Sequence, residues 1–306
     1  MRIRAITVAG AGLLLVAGTV GAAGIAGCGG PEGKRARTAG DNAALGKRAQ
    51  QRRAPAPPPP RKIDCVRVKC VSLTFDDGPS PYTARLLDTL KAGGARATFF
   101  MLGENVQAYP DVVRRMAIEG HEVANHSWSH PDLTTESPAE VRSQIQRTQQ
   151  AIKTASGVAP TLMRPPYGAT NAQVGRAIGM PLILWSVDTL DWRHRSVSRH
   201  TKVGVKEPAG GGIVLFHDIH KPSVDAIPKV VDGLKKRGFT LVTVSELFQG
   251  QPLQPGQTYT ERIQKTEPVT APAAPSGGTG PSGGTPGSGG TPGGGDTPPS
   301  GGTGPR

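Results

Sequence analysis

Short apolar runs recur along the chain between about residues 65 and 250, each bounded by turn-forming or charged residues. Seven have the length and the β-branched or aromatic content of buried strands: 71–75, 97–102, 122–124, 162–164, 182–187, 213–216 and 240–244. Helical spacing lies between most of them. Ser137 is an N-cap, Pro138 suits the first helical position and Glu140 completes a capping box. Val141, Ile145, Thr148 and Ile152 then fall on one face of a helix. A second stripe, Val112, Val113 and Met116, stops near Gly120. Alternating strands and helices predict a parallel α/β fold, most simply a barrel. A segment of about 185 residues is short for eight full units, so a reduced or distorted barrel is expected.

In such a barrel the site is built on the loops that leave the C-terminal ends of the strands. The first strand runs into Asp76-Asp77, with Gly78 and Pro79 forcing a turn. The third is followed by His126 and His130, the fourth by Arg164 and Tyr167, the fifth by Asp188, Asp191 and Trp192, the sixth by His217 and Asp218. A purely structural distribution would scatter such residues over both rims. Their gathering on one rim predicts a site there.

Outside this region the pattern changes. Residues 1–27 are a basic start followed by a Gly- and Ala-rich apolar run, which reads as an export signal. The run closes on Ile25-Ala26-Gly27-Cys28, which resembles a bacterial lipobox and implies a lipid anchor on Cys28; the alternative is an ordinary signal peptide. Residues 28–62 form a Pro-rich tether with nine Lys or Arg between Pro31 and Lys62 against Glu32 and Asp41. About half of the net charge of +13 therefore sits on the tether, whose expected partner is an anionic envelope surface or polymer. Export makes nucleic acid an improbable partner for that charge. Residues 251–306, rich in Gly, Pro, Ser and Thr, read as a disordered tail. Cys65 and Cys70 are placed to form a disulfide in an oxidising compartment, the alternative being two free thiols.

The rim residues define a chemistry. His126 and His130, four apart, reach one ion from a helical turn. One carboxylate beside them completes a site with open positions, which suits catalytic zinc, although other divalent ions fit the same ligands. The spare carboxylate of the Asp76-Asp77 pair can act as general base. His217 can act as general acid if Asp191 or Asp188 keeps it protonated. Arg164 can hold the base ionised. The set is hydrolytic machinery for an acyl group, and neither a Gly-x-Ser-x-Gly elbow nor a phosphate-cradling Gly loop competes with it.

Thr74-Phe-Asp-Asp-Gly-Pro79, His126-Ser-Trp-Ser-His130, Arg164-Pro-Pro-Tyr-Gly168, Asp188-Thr-Leu-Asp-Trp192 and Leu215-Phe-His217-Asp218 resemble, in order, the five motifs of the polysaccharide deacetylases, the NodB-homology or carbohydrate esterase family 4 group. The resemblance covers residues 63–250 and implies a distorted (β/α)7 barrel that uses one divalent ion, commonly zinc. It implies removal of N- or O-acetyl groups from polymers such as peptidoglycan, chitin or acetylxylan. By motif position, Asp76 resembles the base, Asp77 the metal ligand beside His126 and His130, and Arg164 the residue that orients the base. Tyr167 is similar to the residue whose backbone N–H holds the oxyanion, and Asp191 to the partner of the acid His217. Trp192 and Leu215 resemble the apolar pocket for the acetyl methyl. The expectation is a monomeric N-deacetylase anchored on the outer face of the membrane and acting on peptidoglycan or a chitin-like polymer. An acetylxylan O-esterase and a non-catalytic wall-binding lipoprotein are the alternatives. Of the remaining candidates, His121 is expected at the surface or in packing, His194, His200 and His220 in loops, with substrate contact the alternative for His194 and His220, Trp128 as a sugar platform or a loop anchor, and Trp185 in the core.

Overall fold

Strand β1 (Cys70–Asp76) is buried along its whole length, which its nearly unbroken apolar run anticipates for a parallel strand covered on both faces. The computed structural model describes residues 56–263; the export signal, Cys28, the tether up to residue 55 and the tail after residue 263 lie outside the described residues. On one edge β1 pairs in parallel with β2 (Thr98–Met101), which pairs with β3 (Glu122–Asn125). On the other it pairs with β6 (Ile213–His217), in a register that sets Asp76 opposite His217, and β6 pairs with β5 (Val187–Asp188). Strand β7 (Thr240–Leu241) joins the start of β1 at Cys70 and Val71. Single parallel bridges from Asn125 to Met163 and from Met163 to Leu182 carry the sheet on to β4 (Leu182–Ile183), whose chain runs into β5. The pairings form an open series whose two ends, β4 and β5, are joined by the chain and not by pairing, an α/β fold with a parallel sheet that accords with the distorted barrel expected.

Eight helices among the described residues cover this sheet: α1 (Thr83–Ala92), α2 (Gly103–Ala108), α3 (Pro110–Ile118), α4 (Pro138–Ser156), α5 (Ala172–Ile178), α6 (Val197–Lys206), α7 (Lys221–Lys236) and α8 (Val244–Leu247). The start of α4 has the expected capping box between Ser137 and Glu140, and its buried face is Val141, Ile145, Thr148, Ile152 and Ser156. Alternation along β1 divides the core. Leu73 and Phe75 pack outward against helices, and the Phe75 ring lies 5.3 Å from Phe99 and 5.9 Å from Phe216. Phe100, Ala124, Ile183 and Ile213 belong to a second, separate cluster.

Four expectations change. Residues 162–164 contribute only isolated bridges at Met163 in place of a strand, and 182–187 is two short strands interrupted at 184–186, around Trp185. Residues 240–244 keep only two in the strand, because Thr243 caps α8 with its own capping box. The fold also exceeds the limits of residues 63–250. Ahead of it, Arg61 pairs with the buried Glu246 at 2.7 Å, and Arg96 reaches the same carboxylate at 2.9 Å. Beyond it, β8 (Thr258–Tyr259) pairs with β4, and Glu261 bridges Gly212. A two-residue edge strand has no periodicity to read, and Arg61 looks from sequence like one more tether cation. Cys65 and Cys70 form the disulfide, with Cα atoms 5.5 Å apart.

Ile152 is completely buried in the core, whereas Gln146 on the same helix is exposed. Ile152→Ala is expected to cost about 2–5 kcal/mol in chemical denaturation and Gln146→Ala less than about 0.5 kcal/mol. Equal effects would contradict this assignment of the α4 face.

Candidate active site

The C-terminal ends of β1, β3, β5 and β6 open on a cleft of about 550 Å³. Asp76, Asp77, His126, His130, His217 and Asp188 supply its polar side, and Tyr167, Trp185, Trp192 and Leu215 its apolar side. Of the residues expected in catalytic, metal-binding or substrate-binding roles, all but Arg164 and Asp191 line this space, and those two are buried.

Asp76 ends β1 and is buried. Its Oδ1 accepts a 2.6 Å hydrogen bond from Nη1 of Arg164, itself fully buried. Arg164 also donates to Thr74 Oγ1 at 2.9 Å and to the carbonyls of Ile183 and Leu184 at 2.9 and 2.8 Å. Its guanidinium lies over the Phe100 ring, 4.1 Å from the centroid. The other Asp76 oxygen faces the cleft, 3.7 Å from His126 Nε2.

Asp77 leaves the strand with φ +69°, which swings its carboxylate towards the histidines. Its Oδ1 lies 3.4 Å from Nε2 of His126 and 3.6 Å from Nε2 of His130. The tautomer of His126 is fixed, because Nδ1 sits 2.6 Å from the Arg164 carbonyl, which can only accept. The bare Nε2 of His126 therefore faces a carboxylate oxygen that is buried without a hydrogen-bond donor. Acceptors turned towards each other call for a cation between them. One ligand atom from each of Asp77, His126 and His130 lies within 4.8 Å of the others, so the donor set fits a divalent ion. Burial would raise the Asp77 carboxyl, but positive charge on the facing imidazoles lowers it, and a cation in the same place would act in the same sense.

The histidines do not sit on a helical turn. Ser127 and His130 both have positive φ, and the loop is tied by Ser127 Oγ accepting from the His130 N–H at 3.1 Å. Asn125 supports it from below, accepting from the Ser127 N–H at 2.9 Å and donating to the Ile145 carbonyl at 3.0 Å. Gln144 of α4 accepts from the N–H groups of Trp128 and Ser129. Sequence reading missed these supports. Asn125 could have been noticed as the polar residue just before His126, but nothing in the spacing marks Gln144.

Across the cleft His217 ends β6. Its Nδ1 lies 2.7 Å from Asp191 Oδ1, and its N–H donates to Asp191 Oδ2 at 2.8 Å. Burial disfavours the imidazolium, but the hydrogen bond and charge of Asp191, with Asp76 and Asp77, push His217 up to about 9. The choice between Asp191 and Asp188 resolves to Asp191; Asp188 instead accepts from the Leu190 N–H at 2.8 Å and from Trp192 Nε1 at 3.4 Å. Tyr167 has φ +61°, its ring packs edge-on to His130 at 4.5 Å, and its N–H meets no acceptor among the described residues. Leu215 is buried at the base of the cleft and Trp192 is exposed at its side.

Three secondary residues also depart from expectation. Trp185 is half-buried and lines the cleft beside Gly168. His200 is buried on α6 and bonds the His194 carbonyl at 2.6 Å. Asp218 is fully buried behind the Asp76-Asp77 turn, accepting from Thr83, and its carboxylate stands 2.2 Å from where a Cβ on Gly78 would be. Gly78 is therefore required for close approach as well as for turning. His121 is a packing residue, as one alternative had it, accepting from the Ala97 N–H at 3.2 Å. Trp128 anchors its loop, with Arg147 4.0 Å above its ring.

Residues 64–181 match the family described as Polysaccharide deacetylase. A peptidoglycan-N-acetylglucosamine deacetylase, PgdA, of Listeria monocytogenes is 47% identical over 195 residues, 63% of this chain and 42% of the relative. The chain thus spans about two fifths of the length of that relative. A peptidoglycan-N-acetylglucosamine deacetylase of Bacillus cereus is 38% identical over 187 residues, 58% of this chain and 68% of the relative. Among solved structures, a T48 deacetylase with substrate superposes with a TM-score of 0.64 at 46% identity, covering 64% of this chain and 99% of the other. With these relatives matched across the barrel that carries the Asp77, His126 and His130 cluster, the chain belongs to the polysaccharide deacetylase family.

Proposed function

We propose that this protein removes N-acetyl groups from a cell-wall polysaccharide, peptidoglycan N-acetylglucosamine or a chitin-like polymer, by metal-dependent hydrolysis. The observation that carries the reading is one cleft holding three elements: the Asp77, His126 and His130 donor set, the Asp76–Arg164 pair and the Asp191–His217 pair. A divalent ion, in our reading zinc, held by the three donors supplies Lewis acidity for the acetyl carbonyl and for water.

The chain's own residues perform the proton transfers. Asp76, its Oδ1 held by Arg164, presents Oδ2 to the cleft and takes a proton from the attacking water. The water oxygen adds to the carbonyl carbon, and the Tyr167 N–H is free to donate to the oxygen that gains charge. His217, kept protonated by Asp191, gives its proton to the nitrogen as the C–N bond breaks, releasing acetate and the free amine. Leu215 and Trp192 enclose the methyl group. The amide reading is preferred to the ester because an amine must be protonated as it leaves, and Asp191 keeps His217 protonated for that transfer. In this reading the protein is exported, held at the outer face of the membrane through Cys28, with the basic tether resting on anionic envelope polymers.

Asp77→Ala is expected to lose metal and acetate release together, whereas Asp76→Asn keeps metal, measured by elemental analysis, and loses turnover by roughly 10²–10⁴-fold. Full acetate release from metal-stripped protein on peptidoglycan or chitooligosaccharides would refute the mechanism, and turnover confined to acetylxylan would refute the substrate class.

A second expectation concerns pH. An acid is active only while protonated, so kcat should fall as pH rises through about 9. Asp191→Asn removes the group that raises His217, and the alkaline fall should move down towards the ordinary histidine value near 6.5. An alkaline limb that stays in place in Asp191→Asn would mean that another group donates the proton.

A further inference from the structure

Charge is segregated within the folded part of the chain. Among residues 56–263, the segment 193–237 holds ten Lys or Arg against four Asp or Glu, and the remainder balances at fifteen against fifteen. The entire positive excess therefore belongs to α6, α7 and the connections around them. Its acids offset it only in part. Asp218 is buried, Asp225 is shared by Arg85 and Lys221, Asp232 pairs with Lys236 at 2.7 Å, and Glu207 is exposed just after α6 with no ion pair among the described residues. Lys202, Lys206 and Lys229 are exposed and make no ion pair among the described residues.

These cations surround a groove of about 710 Å³ between the two helices. Gly233 of α7 comes so close to Val205 of α6 that a Cβ would lie 2.7 Å from its side chain, which closes the groove at its base. Lys202 and Lys206 are one turn apart on α6, about 6 Å along its axis, and Lys229 and Lys236 are two turns apart on α7, about 10 Å. With Lys236 paired to Asp232, three unpaired ammonium groups, two on α6 and one on α7, face one channel.

We propose that this groove binds a linear polyanion whose repeating charge is a phosphodiester, at a site separate from the hydrolytic cleft. The inference does not depend on the proposed reaction. Lysines act as strongly hydrated point charges that bind phosphate without the fixed bidentate geometry of the arginine fork, which suits phosphates strung along a flexible chain. A bilayer surface is the lesser fit, because interfacial binding uses an apolar face with aromatic anchors, and this concave channel is lined by four lysines, one carboxylate (Asp232, paired with Lys236), valines and small polar residues. α6 begins five residues after Trp192 and α7 four residues after His217, so the groove runs along the connections that build the acid side of the cleft. A polymer lying in it would hold the cleft close to the material bearing that polymer.

The test uses the full chain with Lys202→Gln, Lys206→Gln and Lys229→Gln combined, and a control with Arg48→Gln, Arg52→Gln and Arg53→Gln in the tether. The probes are soluble inorganic polyphosphate and phosphatidylglycerol-containing vesicles. The groove variant should bind polyphosphate at least tenfold more weakly, and its log–log salt slope should be shallower by about 2, from three lost contacts at roughly 0.7 each. Its Tm and its acetate release from uncharged chitooligosaccharides should match the parent. Unchanged polyphosphate affinity in the groove variant would overturn the proposal, as would complete loss in the tether control alone. Vesicle binding that depends on the three lysines and is not displaced by polyphosphate would replace it with a lipid surface.

Discussion

The buried guanidinium of Arg164 is the interaction on which the site depends. An unpaired charge at that depth would cost several kcal/mol, so the surroundings must satisfy it. They do so from three elements: Asp76 and Thr74 of β1, and the carbonyls of Ile183 and Leu184, with Phe100 of β2 beneath. Those carbonyls are available because the chain leaves regular pairing between β4 and β5. The interruption of the sheet is thus the means by which a cation is seated inside it. The backbone of the same residue fixes His126, since its carbonyl accepts from Nδ1. One residue orients the base through its side chain and a metal-ligand candidate through its main chain, and this ties their relative positions together.

Conformational strain is concentrated in the same region. The non-glycine residues with positive φ among those described are Asp77, Ser127, His130, Tyr167 and Leu190, and all five belong to the loops around the cleft. Such conformations persist only where the surroundings over-determine them. Here the restraints are identifiable: Asp218 against Gly78, Asn125 and Gln144 under the histidine loop, and Asp188 accepting from the Leu190 N–H. The barrel supplies rigidity, and the loops use it to hold side chains at angles that regular strands would not give.

Much of this was readable in the sequence, for a physical reason. The long strand β1 and helix α4 bury continuous faces, so their patterns are strong, and acidic or imidazole groups at strand ends have little structural reason to be there. The site residues Asp76, Asp77, His126, His130 and His217 stood out on that ground. Other features had no such signature. The break at Trp185 is set by Arg164 from elsewhere in the chain. The histidine loop has the i, i+4 spacing of a helix but takes its shape from Asn125 and Gln144, whose hydrogen bonds are not encoded in spacing. Strand β8 and Arg61 owe their order to partners far away in sequence, Leu182 with Ile183 and Glu246 respectively.

The Arg61–Glu246 pair bears on mechanics as well as stability. Glu246 lies beside Arg96, just ahead of β2, and α8 hydrogen-bonds Thr98 and Glu122 at the starts of β2 and β3. The polypeptide therefore enters the barrel at the end opposite the cleft. Tension on the preceding segment would be taken up first by that ion pair and then by the loop closed between Cys65 and Cys70, ahead of β1. Force arriving from that direction meets the base of the barrel, and the strained loops at the other end stay out of its path.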